Sequence, residues 1–361
     1  MTYKRIVIKI GSNVLTLENG LEDIERFRHI SSQIAFLKKQ GVEIILVSSG
    51  AVAAGRSMVK LPENIHDTVS TRQLFAAIGQ VKLINTYNEL LEPHGLQCAQ
   101  VLVTKEDFRD RLHYLNMRNC FATLLQNNIL PVVNENDVIS VTELMFTDND
   151  ELAGLIASMM DVDALIILTN VDGLFNGDPS DPKSTVIPVI DKTNLNFNIF
   201  VSGNKSQFGR GGMITKSKMA HKLAQTGVTV HIANGKRNNI LLDLLDNKPM
   251  GTKFLPLEGA STLKRWIAYS EEYAKGTVFV NEGAKVALLR EDKASSLLPV
   301  GITKTEGSFD KGDIIKVMDE EGHFIALGVS QFSSEKTKSI LGKKNQKPLI
   351  HYDYLYINHE K

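Results

Sequence analysis

The feature that most limits what this chain can fold into is a repeated rhythm: a short β-branched run, a turn, then a longer segment of helical period. The runs are RIVIKI (5–10), EIILVSS (43–49), QCAQVLV (97–103), NILPVVN (128–134), ALIILT (164–169) and VTVHIA (228–233). They are apolar rather than alternating, the pattern of parallel strands covered on both faces. Between them the spacing predicts helices at about 22–40, 71–92, 112–127, 149–160 and 216–226. The expected fold class is therefore α/β, a mostly parallel sheet sandwiched by helices. In such sheets ligands sit beyond the carboxyl ends of the strands, where helices begin.

The texture changes near residue 250. The stretch GTKFLPLEGASTLKRWIAYSEEYAKG (251–276) has the Gly, Pro and Ser density of a linker, and beyond it short strands take over: TVFVN, GITKTEG, DIIKVMD and HFIALGVSQF. A length of 361 residues accommodates two domains. The division expected is 1–255, a linker at 256–275, and a smaller, mainly β domain at 276–361. The 41 basic residues balance 41 acidic ones, so nothing global points to a polyanion or an acidic membrane surface. Cys98 and Cys120 can make neither a disulfide scaffold nor a zinc cluster. The apolar run in MTYKRIVIKIGS ends too soon for a signal-peptide core, and no later run approaches the ~18 residues of a membrane span. A cytoplasmic protein with no membrane partner is expected.

The strand ends carry the chemistry. Lys9-Ile10-Gly11-Ser12 closes the first run, Ser48-Ser49-Gly50-Ala51 the second, and Asn134-Glu135-Asn136-Asp137 the fourth. A hairpin expected at 138–147 returns the chain to Asp148-Asn149-Asp150 at a helix start. Thr169-Asn170-Val171-Asp172-Gly173 follows the next strand, and Gly211-Gly212-Met213-Ile214-Thr215-Lys216 leads into the last helix. Singly, each has a structural explanation. A lysine can close a strand in solvent, SSG can cap a helix, and Asp148 or Asp150 can meet a helix dipole. Together they place glycines, helix amino termini, two lysines and a cluster of acids on the ligand side. That is the equipment of phosphoryl transfer, which needs positive charge along a phosphate chain, positioning and usually a divalent metal. The glycine-rich FGRGGMITK (208–216) lacks GxxxxGK[ST] spacing, and GxSxG, HExxH and a GxGxxG after the first strand are missing.

These residues resemble the amino acid kinase superfamily and, within it, its glutamate 5-kinase branch. The carrying motifs are VIKIGSNVL (7–15), VSSGAVAAGR (47–56), PVVNENDV (131–138), DNDELA (148–153), LTNVDGLFNGDP (168–179) and GRGGMITK (209–216). Residues 276 onward resemble a PUA domain. The resemblance implies that ATP, with Mg2+, phosphorylates the side-chain carboxylate of L-glutamate, the first step of proline synthesis and usually under proline feedback. Lys9 and Lys216 match the lysines that face the transferring phosphoryl group, and Asp150 the acid that orients them. No general base is needed, because the nucleophile is already a carboxylate. Asp137 matches the acid that meets the α-ammonium. Asn134 and Asn149 supply neutral hydrogen bonds, Ser49, Gly50 and Ala51 offer amides to the carboxylates, and Asp148 completes the acceptor side. The nucleotide side comprises Lys9, Gly11, Ser12, Thr169, Asn170, Arg210, Gly211, Gly212, Met213, Ile214, Thr215 and Lys216. No side chain is assigned as a metal ligand.

Two positions depart from the family pattern. Arg210 stands where many relatives have threonine, and Asn170 where many have aspartate. A homo-oligomer is expected, and the reactive acyl phosphate makes contact with glutamyl phosphate reductase a reasonable hypothesis. PUA domains often bind RNA, but basic and acidic residues nearly balance in this one, so RNA is not the expected partner. N-acetylglutamate, aspartate, carbamate and UMP are the rival acceptors, and a non-catalytic amino-acid sensor the rival class. The PUA-like tail and Asp137 argue against the former, and Lys9, Lys216 and Asp150 against the latter.

Overall fold

The computed structural model describes residues 3–59, 68–109, 111–140, 146, 148–179, 181–191, 212–256, 262–268, 270–290 and 294–358. The chain divides into two compact units, Met1–Gly259 and Ala260–Lys361.

In the first unit the strands are β1 (Arg5–Ile10), β2 (Glu43–Ser48), β3 (Cys98–Val103), β4 (Leu130–Glu135), β5 (Ala164–Thr169), β6 (Val189–Ile190), β7 (Thr229–Asn234) and β8 (Thr252–Phe254). They form one sheet in the order β3-β4-β2-β1-β5-β7-β8-β6. From β3 across to β7 every pairing is parallel. β8 then runs antiparallel to β7, with β6 beside it. The helices are α1 (Ser12–Leu15), α2 (Ile24–Lys39), α3 (Ala51–Met58), α4 (Thr68–Leu91), α5 (Lys105–Arg109), α6 (Arg111–Gln126), α7 (Asn149–Met159), α8 (Met213–Gln225) and α9 (Ile240–Leu245).

Alternation along β1 explains the sandwich. Ile6, Ile8 and Ile10 join Phe27, Ile30 and Ile34 of α2, Leu83 and Tyr87 of α4, and Leu241 of α9 in one apolar cluster. Val7, which points the other way, is equally buried, and α7 lies against β1 while α8 lies against β7. Each such aliphatic side chain contributes about 1.5–3 kcal/mol on burial. Lys9 shares the parity of Val7, so its side chain leaves β1 on the α7 face.

Helices α3 and α4 meet through two glycines. A Cβ on Gly79 would lie 1.7 Å from the Ala51 carbonyl oxygen, and one on Gly55 would lie 1.9 Å from that of Phe75. This close approach fixes α4 against the amino terminus of α3, which matters for the site.

The second unit holds α10 (Thr262–Ala268), β9 (Gly276–Val280), α11 (Glu282–Leu289), β10 (Ile302–Gly307), β11 (Ile314–Asp319), β12 (Phe324–Val329), α12 (Ser334–Ile340) and β13 (Leu355–Ile357). Its sheet runs β10-β9-β11-β12-β13 over a core that includes Val278, Val280, Ile315, Val317, Ile325 and Ile350.

The expected linker, 256–275, differs from what is found. It contains α10, whose Trp266, Ile267 and Ala268 are buried. Just ahead of it, Thr252–Phe254 completes the main sheet. The Thr252 hydroxyl accepts from the Leu174 N–H at 2.8 Å and donates to the Ile187 carbonyl at 2.7 Å. Gly and Pro density measures turns, and here the turns separate short packed elements. The hairpin expected at 138–147 lies largely outside the described residues, as do Arg210 and Gly211. No helix among the described residues is long and apolar enough to cross a membrane.

Candidate active site

The site gathers where parallel strands end and helices begin. Lys9 is the penultimate residue of β1, Asp150 lies in the first turn of α7 and Lys216 in the first turn of α8. The Asp150 carboxylate bridges the two ammonium groups: Oδ1 is 2.6 Å from Lys9 Nζ and Oδ2 is 2.8 Å from Lys216 Nζ. Asp150 is wholly buried, and Lys9 nearly so. Burial alone would raise the Asp150 carboxyl, but Lys9 and Lys216 outweigh it and hold it down at about 2. One carboxylate bridging two cations leaves a net positive pair, the arrangement that a phosphoryl group's oxygens require.

A second polar group sits at the ends of β2 and β4. Asn149 Nδ2 donates to Ser49 Oγ and to Asn134 Oδ1, both at 2.9 Å, so residues from three elements share one amide. Gly50, the residue before α3, has φ +114, a conformation open to glycine at little cost. It turns the chain so that α3 starts with free amides and no side-chain cap. Behind it, the Ser48 hydroxyl meets the buried Tyr87 hydroxyl at 2.7 Å.

Asp148 caps α7. Its Oδ1 accepts from the backbone N–H of Asp150 at 2.9 Å and of Glu151 at 3.1 Å. Its Oδ2 is buried and has no partner among the described residues. Burial, then the neighbouring Asp150 charge, pushes Asp148 up to about 6, against the pull of Lys9 and Lys216.

The remaining expected residues frame these groups. The Gly11 N–H donates to the Leu168 carbonyl at 3.1 Å, which ties the end of β1 to β5. Ser12 opens α1. Thr169 closes β5 and is buried, whereas Asn170 is exposed. Gly212 precedes α8 with an ordinary φ of −81, and a Cβ built on it would meet nothing within 4 Å among the described residues. Neither backbone nor packing therefore demands glycine there, and the open space suits an approaching anion at a helix amino terminus. Met213, Ile214 and Thr215 form the first turn, none of them buried.

Sequence reasoning missed three charged partners. Arg72 of α4 forks onto Asp137, with Nε at 3.1 Å and Nη2 at 2.5 Å from Oδ1, and Nη2 stands 3.8 Å from Glu135 Oε2. Glu135 is buried and its Oε1 accepts from the Phe146 N–H at 2.9 Å. Lys105, at the start of α5, pairs with Glu151 at 3.1 Å. Asp172 is gripped by Arg237 through two bonds, Nε at 2.8 Å and Nη2 at 2.7 Å, and so lies below its usual range. No local motif marks Arg72, which stands far from Asp137 along the chain.

Comparison with known proteins identifies the family. The model of the amino acid kinase family matches residues 4–234, and that of the PUA domain matches residues 276–352. A glutamate 5-kinase of Bacteroides thetaiotaomicron is 52% identical over 358 residues, covering 98% of this chain and 99% of its own. One from Chlorobaculum tepidum is 53% identical over 355 residues, covering 98% of each. Among solved structures, a carbamate kinase from Giardia lamblia bound to AMP-PNP superposes with a TM-score of 0.51 at 20% identity, over 71% of this chain and 99% of that one. That last likeness is one of fold.

Proposed function

The chain belongs to the amino acid kinase family, and from that premise we propose that it transfers the γ-phosphoryl group of Mg2+-ATP to the side-chain carboxylate of L-glutamate, giving L-glutamyl 5-phosphate and ADP, the first step of proline synthesis. The observation that carries the reading is the Lys9–Asp150–Lys216 bridge set beside the Asn149–Ser49–Asn134 group.

A glutamate carboxylate oxygen attacks the γ-phosphorus, the bond to the β,γ-bridging oxygen breaks, and ADP leaves with the electron pair. Lys9 and Lys216 face the charge that develops on the transferring group. A lysine 4 Å from a phosphate charge contributes about 4 kcal/mol at an effective dielectric of 20. Asp150 keeps both heads in place without itself taking a proton, since its carboxyl stays at about 2. Gly11, Ser12, Thr169 and the α8 amino terminus form the nucleotide side, with Mg2+ entering on the ATP phosphates. The acceptor lies among Ser49, Gly50, Ala51, Asn134 and Asn149. Asp137 and the free Oδ2 of Asp148 supply negative charge for its α-ammonium.

Residues 1–255 are the catalytic domain in this reading, and the PUA domain serves assembly or regulation. The setting is a cytoplasmic homo-oligomer under proline feedback, in contact with glutamyl phosphate reductase. The test is ADP release with Mg2+-ATP across L-glutamate, N-acetylglutamate, aspartate, carbamate and UMP, with hydroxylamine to trap acyl phosphate. Turnover and hydroxamate with glutamate alone are expected. Turnover with another acceptor instead would overturn the substrate assignment.

A further inference from the structure

Asp137 is a buried carboxylate on the turn after β4, and its partners are unevenly distributed. Both bonds from Arg72 land on Oδ1, while Oδ2 has no partner among the described residues. Glu135, two residues earlier, is buried as well, and its Oε2 lies within ion-pair reach of the same guanidinium. The same guanidinium therefore reaches two buried acids. The next residue of α4 reaches the same turn, since Gln73 Nε2 donates to the Val138 carbonyl at 2.6 Å. The turn is closed from within by the Ile139 and Ser140 N–H groups on the Asn136 carbonyl, and the Asn136 N–H returns to Val103. Among the described residues, its tie to a helix through a charged pair is Arg72.

We infer that Arg72 is the positioning residue of the acceptor site: it fixes Asp137 by one oxygen and presents the other, Oδ2, to the ammonium group of the amino-acid substrate. This rests on the reading that glutamate is the acceptor and that Asp137 meets its ammonium. The geometry gives a physical reason for the arrangement. A carboxylate that must bind an ammonium needs a free oxygen in a fixed direction, and a fork anchored on a single oxygen supplies it. Without Arg72, Asp137 loses both bonds on its Oδ1, and the turn loses its charged tie to α4. The Gly79 contact between α3 and α4 sets α4 against Ala51, so the helix that carries Arg72 also backs the start of α3.

The experiment compares wild type, Arg72→Gln and Arg72→Lys in the full chain with Mg2+-ATP. It measures kcat and KM for L-glutamate, and inhibition by two analogues. Glutarate lacks the ammonium, and 4-aminobutyrate keeps the ammonium but lacks the α-carboxylate. Arg72→Gln is expected to raise KM for glutamate roughly 10- to 100-fold, as for loss of a charged hydrogen bond, with kcat little changed. It should weaken 4-aminobutyrate in parallel and leave glutarate unmoved. Arg72→Lys, which keeps the charge but loses the fork, should recover part of the loss. Should Arg72→Gln fail to fold, the lysine variant carries the same comparison in reduced size.

An unchanged KM for glutamate overturns the inference, as does equal weakening of glutarate and glutamate, which a merely structural role would give. Loss of glutarate with 4-aminobutyrate unmoved would place the guanidinium on the α-carboxylate and overturn it too. Absence of glutamate turnover in the wild type is a different result, and it would sink the functional reading itself.

Discussion

Replacing Asp150 by asparagine removes an anion that two lysine heads share. The bridging distances are 2.6 and 2.8 Å. At an effective dielectric of 20, each such pair carries roughly 6 kcal/mol of raw attraction, much of it offset by the cost of taking the charges out of water. Removing one partner of a buried pair typically costs about 3–5 kcal/mol, because the remaining charge is left uncompensated. Here the carboxylate is shared by two ammonium groups, at 6% and 12% side-chain exposure. The ligand-free Asp150→Asn protein is therefore expected to lose several kcal/mol of stability in urea denaturation, and to regain part of it with saturating ATP. Its phosphates supply the missing negative charge. For the same reason KM for ATP should hold or fall. Turnover should not survive: the lysine heads repel and leave their transition-state positions, and 4 kcal/mol lost there is about a thousandfold in kcat. Coupled ADP release at saturating substrates measures it. A folded Asp150→Asn enzyme with kcat within about tenfold of wild type would refute the reasoning. So would a loss that appeared wholly as a raised KM for ATP.

Gly212→Ala places a methyl group in open space at ordinary φ, so thermal stability should hold or rise by up to about 1 kcal/mol while KM for ATP increases. Equal affinity for ATP would show that no phosphate approaches there. Asn149→Ala breaks the bonds to Ser49 and Asn134 and should raise KM for glutamate about tenfold or more with KM for ATP unaffected, as read by initial rates. Asp148 predicts a stability–activity conflict. Its folded value, about 6, lies above the usual carboxylate range. Its ionised form therefore costs stability, increasingly as pH rises from that range through about 6. Asp148→Asn keeps a capping oxygen for α7 and should be more stable than wild type at pH 8, by roughly 1–3 kcal/mol. Glutamate affinity should fall in the same variant, and the rise of wild-type KM for glutamate below pH 6 should flatten. A variant less stable at pH 8 would contradict the assignment.

The central sheet was legible because β1, β2, β4 and β5, buried on both faces, leave uninterrupted apolar runs. The edge strand β3, expected to be covered on both faces, is buried only at Val103, yet observed strand ends fall within two residues of the expected ones from β1 to β5. The two-residue β6 and three-residue β8 were not legible. Their place is decided by Thr252 bonding two other loops, which no local pattern records. Helix α10 was hidden for a similar reason: Trp266 and Ile267 reveal their buried face only against the sheet of the second unit. In the site, Lys9, Asp150 and Lys216 could be expected from motifs at the strand ends, and the structure brings them within bonding distance. Arg72 could not. Its partner lies on another element and its helix is set by the Gly79 contact, so only the folded chain juxtaposes them.

The Lys9–Asp150–Lys216 bridge also dates the enzyme's birth. Its parts come from the first strand, the seventh helix and the eighth, so they are synthesised far apart in time. A chain still emerging from the ribosome has Lys9 and Asp150 long before it has Lys216. Until α8 is made, the chain has one lysine and the aspartate of the bridge and lacks its second cation. Proteolytic or prematurely terminated fragments that stop short of α8 lack the same cation. The three-way bridge can therefore form only once the chain has been made through the first turn of α8.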